Sequence, residues 1–199
     1  MQGRAATLWD ELLRAVPGCF ELLTWREQGL RHFALTPRGC AGAALSAFLS
    51  NTALVVLIFL VSPDQPVSAA VIILWLCGSV LLREAAAYWI IAEAGQGGDY
   101  FAYGVPSLWT AALQPVLGAI LTFGLLYLAA LLGASQETLT TLIALVIGGV
   151  ILGGIVIAVR TLSAGAGLSA ARIVFVIGLQ AIATFLGFLG FGIALQMAG

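Results

Sequence analysis

The stretch Ser79–Ile91, SVLLREAAAYWII, sets Arg83 and Glu84 side by side inside a long apolar run. How such a run tolerates two charges decides which solvent the chain folds in. Neighbours on a helix point about 100° apart, so the two side chains do not face each other and each needs another partner or water. At a bilayer centre each charge costs about 2.5–3.5 kcal/mol on insertion scales. The rise from Val67 to Arg83 is about 24 Å at 1.5 Å per residue, against a hydrocarbon core about 30 Å thick. This places Arg83 in the inner part of a membrane, within snorkelling reach of the interface. Its expected role is a boundary anchor or an inter-helix pair with Glu93, Asp99, Arg160 or Arg172. The alternative is a polar Arg83–Glu84 site facing a cavity or a partner subunit.

Composition agrees with a lipid solvent. Of 199 residues, 61% are hydrophobic and 9% charged, where a soluble domain carries about 25% charged residues. Mean hydropathy is +1.09. The formal net charge of -1 leaves no basic surface for nucleic acid. All 8 basic residues are Arg, which removes Schiff-base and P-loop lysine chemistry. Cys19, Cys40 and Cys77 show no C-x-x-C spacing and read as packed thiols.

Working outward along the chain, five apolar runs approach or exceed the roughly 20 residues of a membrane span. They cover residues 40–61, 67–92, 108–133, 138–159 and 173–197. The expected fold is all-α: a polytopic bundle of about five transmembrane helices over 40–199, preceded by an amphipathic N-terminal region over 1–39. In that region Leu8, Trp9, Leu12, Leu13 and Val16 recur at helical spacing opposite Asp10, Glu11 and Arg14. Pro17-Gly18 is expected to break this helix, with a second piece from Cys19 to about Gln28. The pair either lies in the membrane interface or packs on the mouth of the bundle. Trp9, Trp25 and Trp89 are candidate interfacial aromatics. Residues 93–107, with four glycines and three aromatics, read as an irregular interfacial loop. No cleavable leader pattern precedes residue 40, so the first span is expected to act as its own insertion signal.

Arg4, Arg14, Arg26, Arg31 and Arg38 precede the first span, and Arg160 and Arg172 bracket the loop before the fifth. The positive-inside rule then puts the N-terminus in the cytoplasm and the C-terminus outside a bacterial inner membrane. Arg83 supplies the positive charge of the otherwise Arg-free cytoplasmic loop after the second span.

Three intramembrane amides, Asn51, Gln114 and Gln180, are expected to glue helices together or to line a polar path. Pro115 should kink the third span. Gly148, Gly149, Gly153 and Gly154 form a small-residue face, expected to pack the fourth span tightly on the fifth or on a second copy. His32 is the sole histidine, too few for a zinc or haem site. No G-x-S-x-G, H-E-x-x-H or P-loop pattern occurs. No cofactor and no catalytic activity are expected.

The pieces HFALTPRGCAGAALSAF, entering the first span, and VRTLSAGAGLSAARIV, entering the fifth, belong to a layout of five spans with an amphipathic N-terminal region and a short outside tail. That layout resembles the Yip1-type membrane proteins and related uncharacterised alphaproteobacterial inner-membrane proteins. DYFAYGVP is a loose echo of the acidic Asp-Leu-x-Gly-Pro type motif associated with them, which this chain does not carry. The resemblance implies a non-catalytic protein working through partners or lipid organisation. The leading expectation is therefore a scaffold, assembly factor or accessory subunit, in contact with the lipid bilayer and with a membrane-protein partner or a second copy. The alternative is a small transporter or channel subunit with a path lined by Asn51, Gln114, Gln180 and the Arg83–Glu84 pair.

Overall fold

The computed structural model describes residues 7–61, 69–95 and 100–198. Within them lie six α-helices and no strand: α1 (Leu8–Leu23), α2 (Pro37–Val61), α3 (Ala69–Glu93), α4 (Tyr100–Leu132), α5 (Gln136–Arg160) and α6 (Ala170–Ala198). A 3-10 segment, Glu27–His32, follows α1, and a π turn, Thr161–Gly165, extends α5. Helices α2 to α5 are long and apolar enough to cross a membrane. Helix α6 has 29 residues, of which 170–182 count as a shorter apolar helix. The turn at 62–68 and Asp99 lie outside the described residues.

Helix starts are set by local chemistry. Thr7 caps α1, its hydroxyl accepting from Asp10 N while the Asp10 carboxylate accepts from Thr7 N, a reciprocal capping box. Thr36 caps α2 by accepting from Gly39 N at 3.1 Å, with Pro37 at the first helical position, where its missing N–H has no helical partner to lose. Ser135 caps α5 through Thr138 N.

The core is organised around α4. Ten consecutive residues, Tyr103–Ala112, are buried, so these turns are enclosed on all sides rather than on one stripe. Helices α1, α2, α3 and α5 and the π turn all touch α4. Trp109, Leu108 and Val105 pack with Ala15, Leu22, Ala43, Ala47 and Ile157. A second cluster joins α3 to α6 through Ala87, Ile90, Ile91, Ile173 and Val176, with Tyr103 and Leu162. Beyond Ala112, by contrast, Ala129 is the only residue of α4 in the buried class. The bundle is closed at the end that carries α1 and open toward the other.

Several sequence expectations are corrected. The loop expected over 93–107 is mostly helix: α4 begins at Tyr100, eight residues early, and Tyr103 is core rather than interfacial. Pro106 lies inside α4. Its missing N–H frees the carbonyl of Ala102, and the backbone of Gly165 closes on that oxygen; a Cβ there would sit 2.8 Å away. The Pro17-Gly18 break is also absent, because α1 runs through it to Leu23. Gly18 serves instead as a contact surface, since a Cβ would meet the Phe33 ring at 2.8 Å. The 3-10 segment thereby folds back under α1.

Helix α1 carries three stripes. Leu12, Ala15, Cys19 and Leu22 face the bundle. Trp9, Leu13, Val16 and Phe20, one residue out of step, are exposed. Asp10, Arg14 and Glu21 form the polar side. Its first turn crosses α2, where Leu8 and Glu11 border Gly42, and its last turn reaches α5, where Leu23 borders Gly153. The helix is thus seated on the bundle while keeping a second apolar stripe outward.

Helix α1 ends in a Schellman pattern, Arg26 N donating to Glu21 O and Trp25 N to Leu22 O. Trp25 takes the left-handed position at φ 63°, a strained place for a residue with a Cβ. Arg160 holds it there. The guanidinium lies 4.6 Å from the indole centroid, donates to Trp25 O at 2.8 Å and pairs with Glu27 at 3.6 Å.

The glycine face of α5 is corrected as well. Among the described residues a Cβ on Gly148 or Gly149 would touch nothing within 4 Å, Gly153 meets α1, and Gly154 is covered by the Gln114 side chain. Gly153 and Gly154 thus admit the end of α1 and a side chain from α4, and among the described residues none of the four glycines meets α6. Leu at Gly149 is expected to leave unfolding in detergent within about 0.5 kcal/mol of wild type. Leu at Gly154 must evict Gln114 and should lower the melting temperature by several degrees; equal melting of the two variants would refute this assignment.

Burial against α4 pushes the Cys19 thiol up to about 11 from 9.0, although Thr110 lies 3.7 Å away and partly offsets the shift. Alkylation at pH 8 of a chain whose only thiol is Cys19 should run about 100-fold slower folded than unfolded, following the thiolate fraction. The folded state holds this proton more tightly, so the thiol's contribution to stability is present below pH 9 and fades between about 9 and 11.

Candidate functional site

The polar residues of the membrane-spanning part gather on one line. Tyr100, Tyr103, Ser107, Thr110 and Gln114 recur along α4 at steps of three and four, the spacing of a single helix face. Two of them meet Glu84. The Glu84 carboxyl group is buried and accepts from Ser107 Oγ at 2.6 Å and from Tyr100 Oη at 3.0 Å. Gln180 Nε2 on α6 donates to Tyr103 Oη at 2.7 Å and to the backbone carbonyl of Arg83 at 3.3 Å. Tyr103 Oη stands 3.4 Å from Ser107 Oγ. Because the single Ser107 proton goes to Glu84, the Tyr103 proton can serve that contact. The result is a continuous chain from Gln180 through Tyr103 and Ser107 to Glu84, tying α6, α4 and α3 together without an ion pair.

Glu84 is therefore answered by hydroxyls of α4, not by Arg160, which is held by Trp25 and Glu27. Arg83 points elsewhere. Among the described residues its guanidinium makes no hydrogen bond or ion pair. Helix α3 continues ten residues past Arg83 to Glu93, about 15 Å, so the pair lies within the helix rather than at its end.

Two adjoining cavities explain where Arg83 goes. One, of about 640 Å³, lies between α2, α3, α4 and α5 and is lined by Asn51, Arg83, Gln114 and Pro115 with apolar neighbours. The other, of about 440 Å³, lies between α3, α4, α5 and α6 and is lined by Arg83, Ser107, Thr110, Gln114 and Gln180. Arg83 and Gln114 border both. The fold thus sets Asn51 on one cavity and Gln180 on the other, with Arg83 and Gln114 in the walls of both and Glu84 one hydroxyl behind the second.

The amides also satisfy backbone. Pro115 lies inside α4 and leaves the carbonyl of Ala111 without its helical N–H. Asn51 Nδ2 donates to that oxygen at 3.4 Å and to Ala47 O at 2.8 Å. Gln114 Nε2 donates to Val150 O at 2.9 Å, across to α5. Asn51 has both N–H groups engaged, whereas Gln114 keeps one for the cavity.

Trp9, Trp25 and Trp89 are all exposed on the outer surface. No group of three or more His, Cys, Asp or Glu side chains able to hold a metal occurs among the described residues. Tyr100, Tyr103 and Ser107 fall in the segment whose composition reads as a loop, and Thr110 lies just inside the third apolar run, so none of them stands out in the sequence. Their shared helical face, continuous with Gln114, was the available signal. No family model, curated protein or solved structure matches the chain.

Removing the carboxyl group while keeping its volume should be costly. Glu84→Leu leaves the Ser107 and Tyr100 hydroxyls without an acceptor, at about 1–3 kcal/mol for each unsatisfied buried group. Glu84→Gln retains one acceptor oxygen and should lose less. Unfolding in detergent is expected to rank wild type above Glu84→Gln and Glu84→Gln above Glu84→Leu; identical stabilities would remove Glu84 from any role in holding α3 to α4.

Proposed function

We propose that this protein is a non-catalytic, five-span inner-membrane protein acting as a small transporter or channel subunit, with a polar path at Arg83. The observation that carries the reading is the convergence of Asn51, Arg83, Gln114 and Gln180 on two adjoining cavities. Arg83 and Gln114 line both cavities, so the four polar side chains are grouped on adjoining spaces and not scattered among separate helix pairs. A charged side chain in a membrane helix is tolerated where it faces a cavity or pathway. The clustering of Arg26, Arg31 and Arg160 at the end of the bundle that carries α1 supports a cytoplasmic N-terminus and an outside C-terminus.

A second reading keeps the protein as a scaffold or accessory subunit. The exposed stripe Trp9, Leu13, Val16 and Phe20 favours it, since α1 is already seated and this stripe remains free. It would engage a membrane-protein partner or the bilayer surface.

Liposomes containing the purified chain test the first reading. Flux of small anions or other small solutes is expected above protein-free liposomes, falling at least about tenfold in Arg83→Gln, as for loss of a charge-assisted contact. Absence of flux in every oligomeric form would retire it. Under the scaffold reading, Trp9→Ser with Phe20→Ser would instead remove a copurifying membrane protein while leaving the melting temperature unchanged.

A further inference from the structure

The cavity of about 640 Å³ has one cation, Arg83, among largely apolar walls whose other polar members are Asn51, Ser79, Gln114 and Thr122. Leu54, Leu57, Ile58, Phe123, Ile147 and Ile151 form much of its lining. Of these, Leu57, Ile58, Phe123, Ile147 and Ile151 also belong to the exposed surface of the helices. In a bilayer that surface faces acyl chains, so the mouth of the cavity opens to lipid rather than to water. A volume of about 640 Å³ is within the range of small-molecule sites.

Charge and shape select the occupant. The Arg83 guanidinium has five N–H donors and no carboxylate partner among the described residues. Gln114, with one N–H not engaged by Val150, and Asn51 line the same cavity. A guanidinium fork matches a phosphate or carboxylate in bidentate fashion. A hydrated inorganic anion would shed its water against largely apolar walls and gain only the polar contact at Arg83 and Gln114. An acidic amphiphile gains that contact and leaves its chain among Leu57, Ile58 and Ile147. We infer that this cavity binds an anionic phospholipid from the surrounding bilayer, its phosphate on Arg83 and Gln114 and an acyl chain along the α2–α5 mouth.

The inference rests on the proposed polar path in taking the same cavity, but it claims binding and not movement. The test uses the full chain in mixed micelles containing phosphatidylglycerol and phosphatidylcholine in equal amounts, read by native mass spectrometry. Both lipids carry the phosphate, but the choline cation of phosphatidylcholine brings a like charge beside Arg83, so wild type is expected to retain phosphatidylglycerol at least about tenfold over phosphatidylcholine. Arg83→Gln should abolish the preference and Arg83→Lys should keep part of it. Ile147→Trp, which narrows the mouth and leaves Arg83 in place, should lower retention of phosphatidylglycerol while the protein still melts cooperatively. Equal retention of the two lipids by wild type, or an unchanged preference in Arg83→Gln, overturns the inference. So does displacement of phosphatidylglycerol by millimolar inorganic phosphate, which would mark a small-anion site. Selective lipid retention without flux in liposomes would uphold this site and retire the transport reading; flux without lipid selectivity would do the reverse.

Discussion

Ten consecutive buried residues on α4, Tyr103–Ala112, impose the condition that the rest of the bundle meets. A helix enclosed on every side, in a chain whose solvent is lipid, has no water for its polar atoms. Each hydroxyl and each carbonyl freed by proline must find protein. Pro106 and Pro115 free two carbonyls, Ala102 and Ala111. The backbone at Gly165 approaches the first closely, and Asn51 donates to the second. Tyr103 and Ser107 are served by Gln180 and Glu84. Residues on α2, α3 and α6, and on the π turn after α5, are thus positioned by the needs of one helix.

The same condition separates the two charges of the Arg83–Glu84 pair. Glu84 turns to the hydroxyl stripe of α4 and becomes part of the packing. Arg83, about 100° around the helix, falls on the boundary of the two cavities. One member of the pair holds helices together and the other is left available to a ligand. A functional reading therefore rests on Arg83 and the amides around it, with Glu84 as their structural support.

Much of the architecture was legible from apolar periodicity. The four helices long enough to span a membrane fall where the runs 40–61, 67–92, 108–133 and 138–159 placed them, to within a few residues at most ends. The early start of α4 was not legible, because Tyr100, Gly104 and Pro106 carry turn propensity that tertiary burial overrides. Pro17-Gly18 misled for the same reason: the helix tolerates the lost hydrogen bond while Gly18 lets Phe33 approach. The glycines of α5 signalled close approach correctly, but a small-residue face does not name what approaches, and the answer was Gln114 and Leu23.

By itself the sequence determined the solvent, the helical class and the candidate polar residues, because apolar run length and charge scarcity depend on no contact between distant segments. Only the tertiary structure decided which of those residues share space. Asn51 and Ala111 are 60 residues apart in the chain, and Gln180 and Tyr103 are 77 apart. No local periodicity links such pairs. Their meeting follows from how five helices pack around α4, and that packing separated Glu84, a buried acceptor, from Arg83, a cation facing open space.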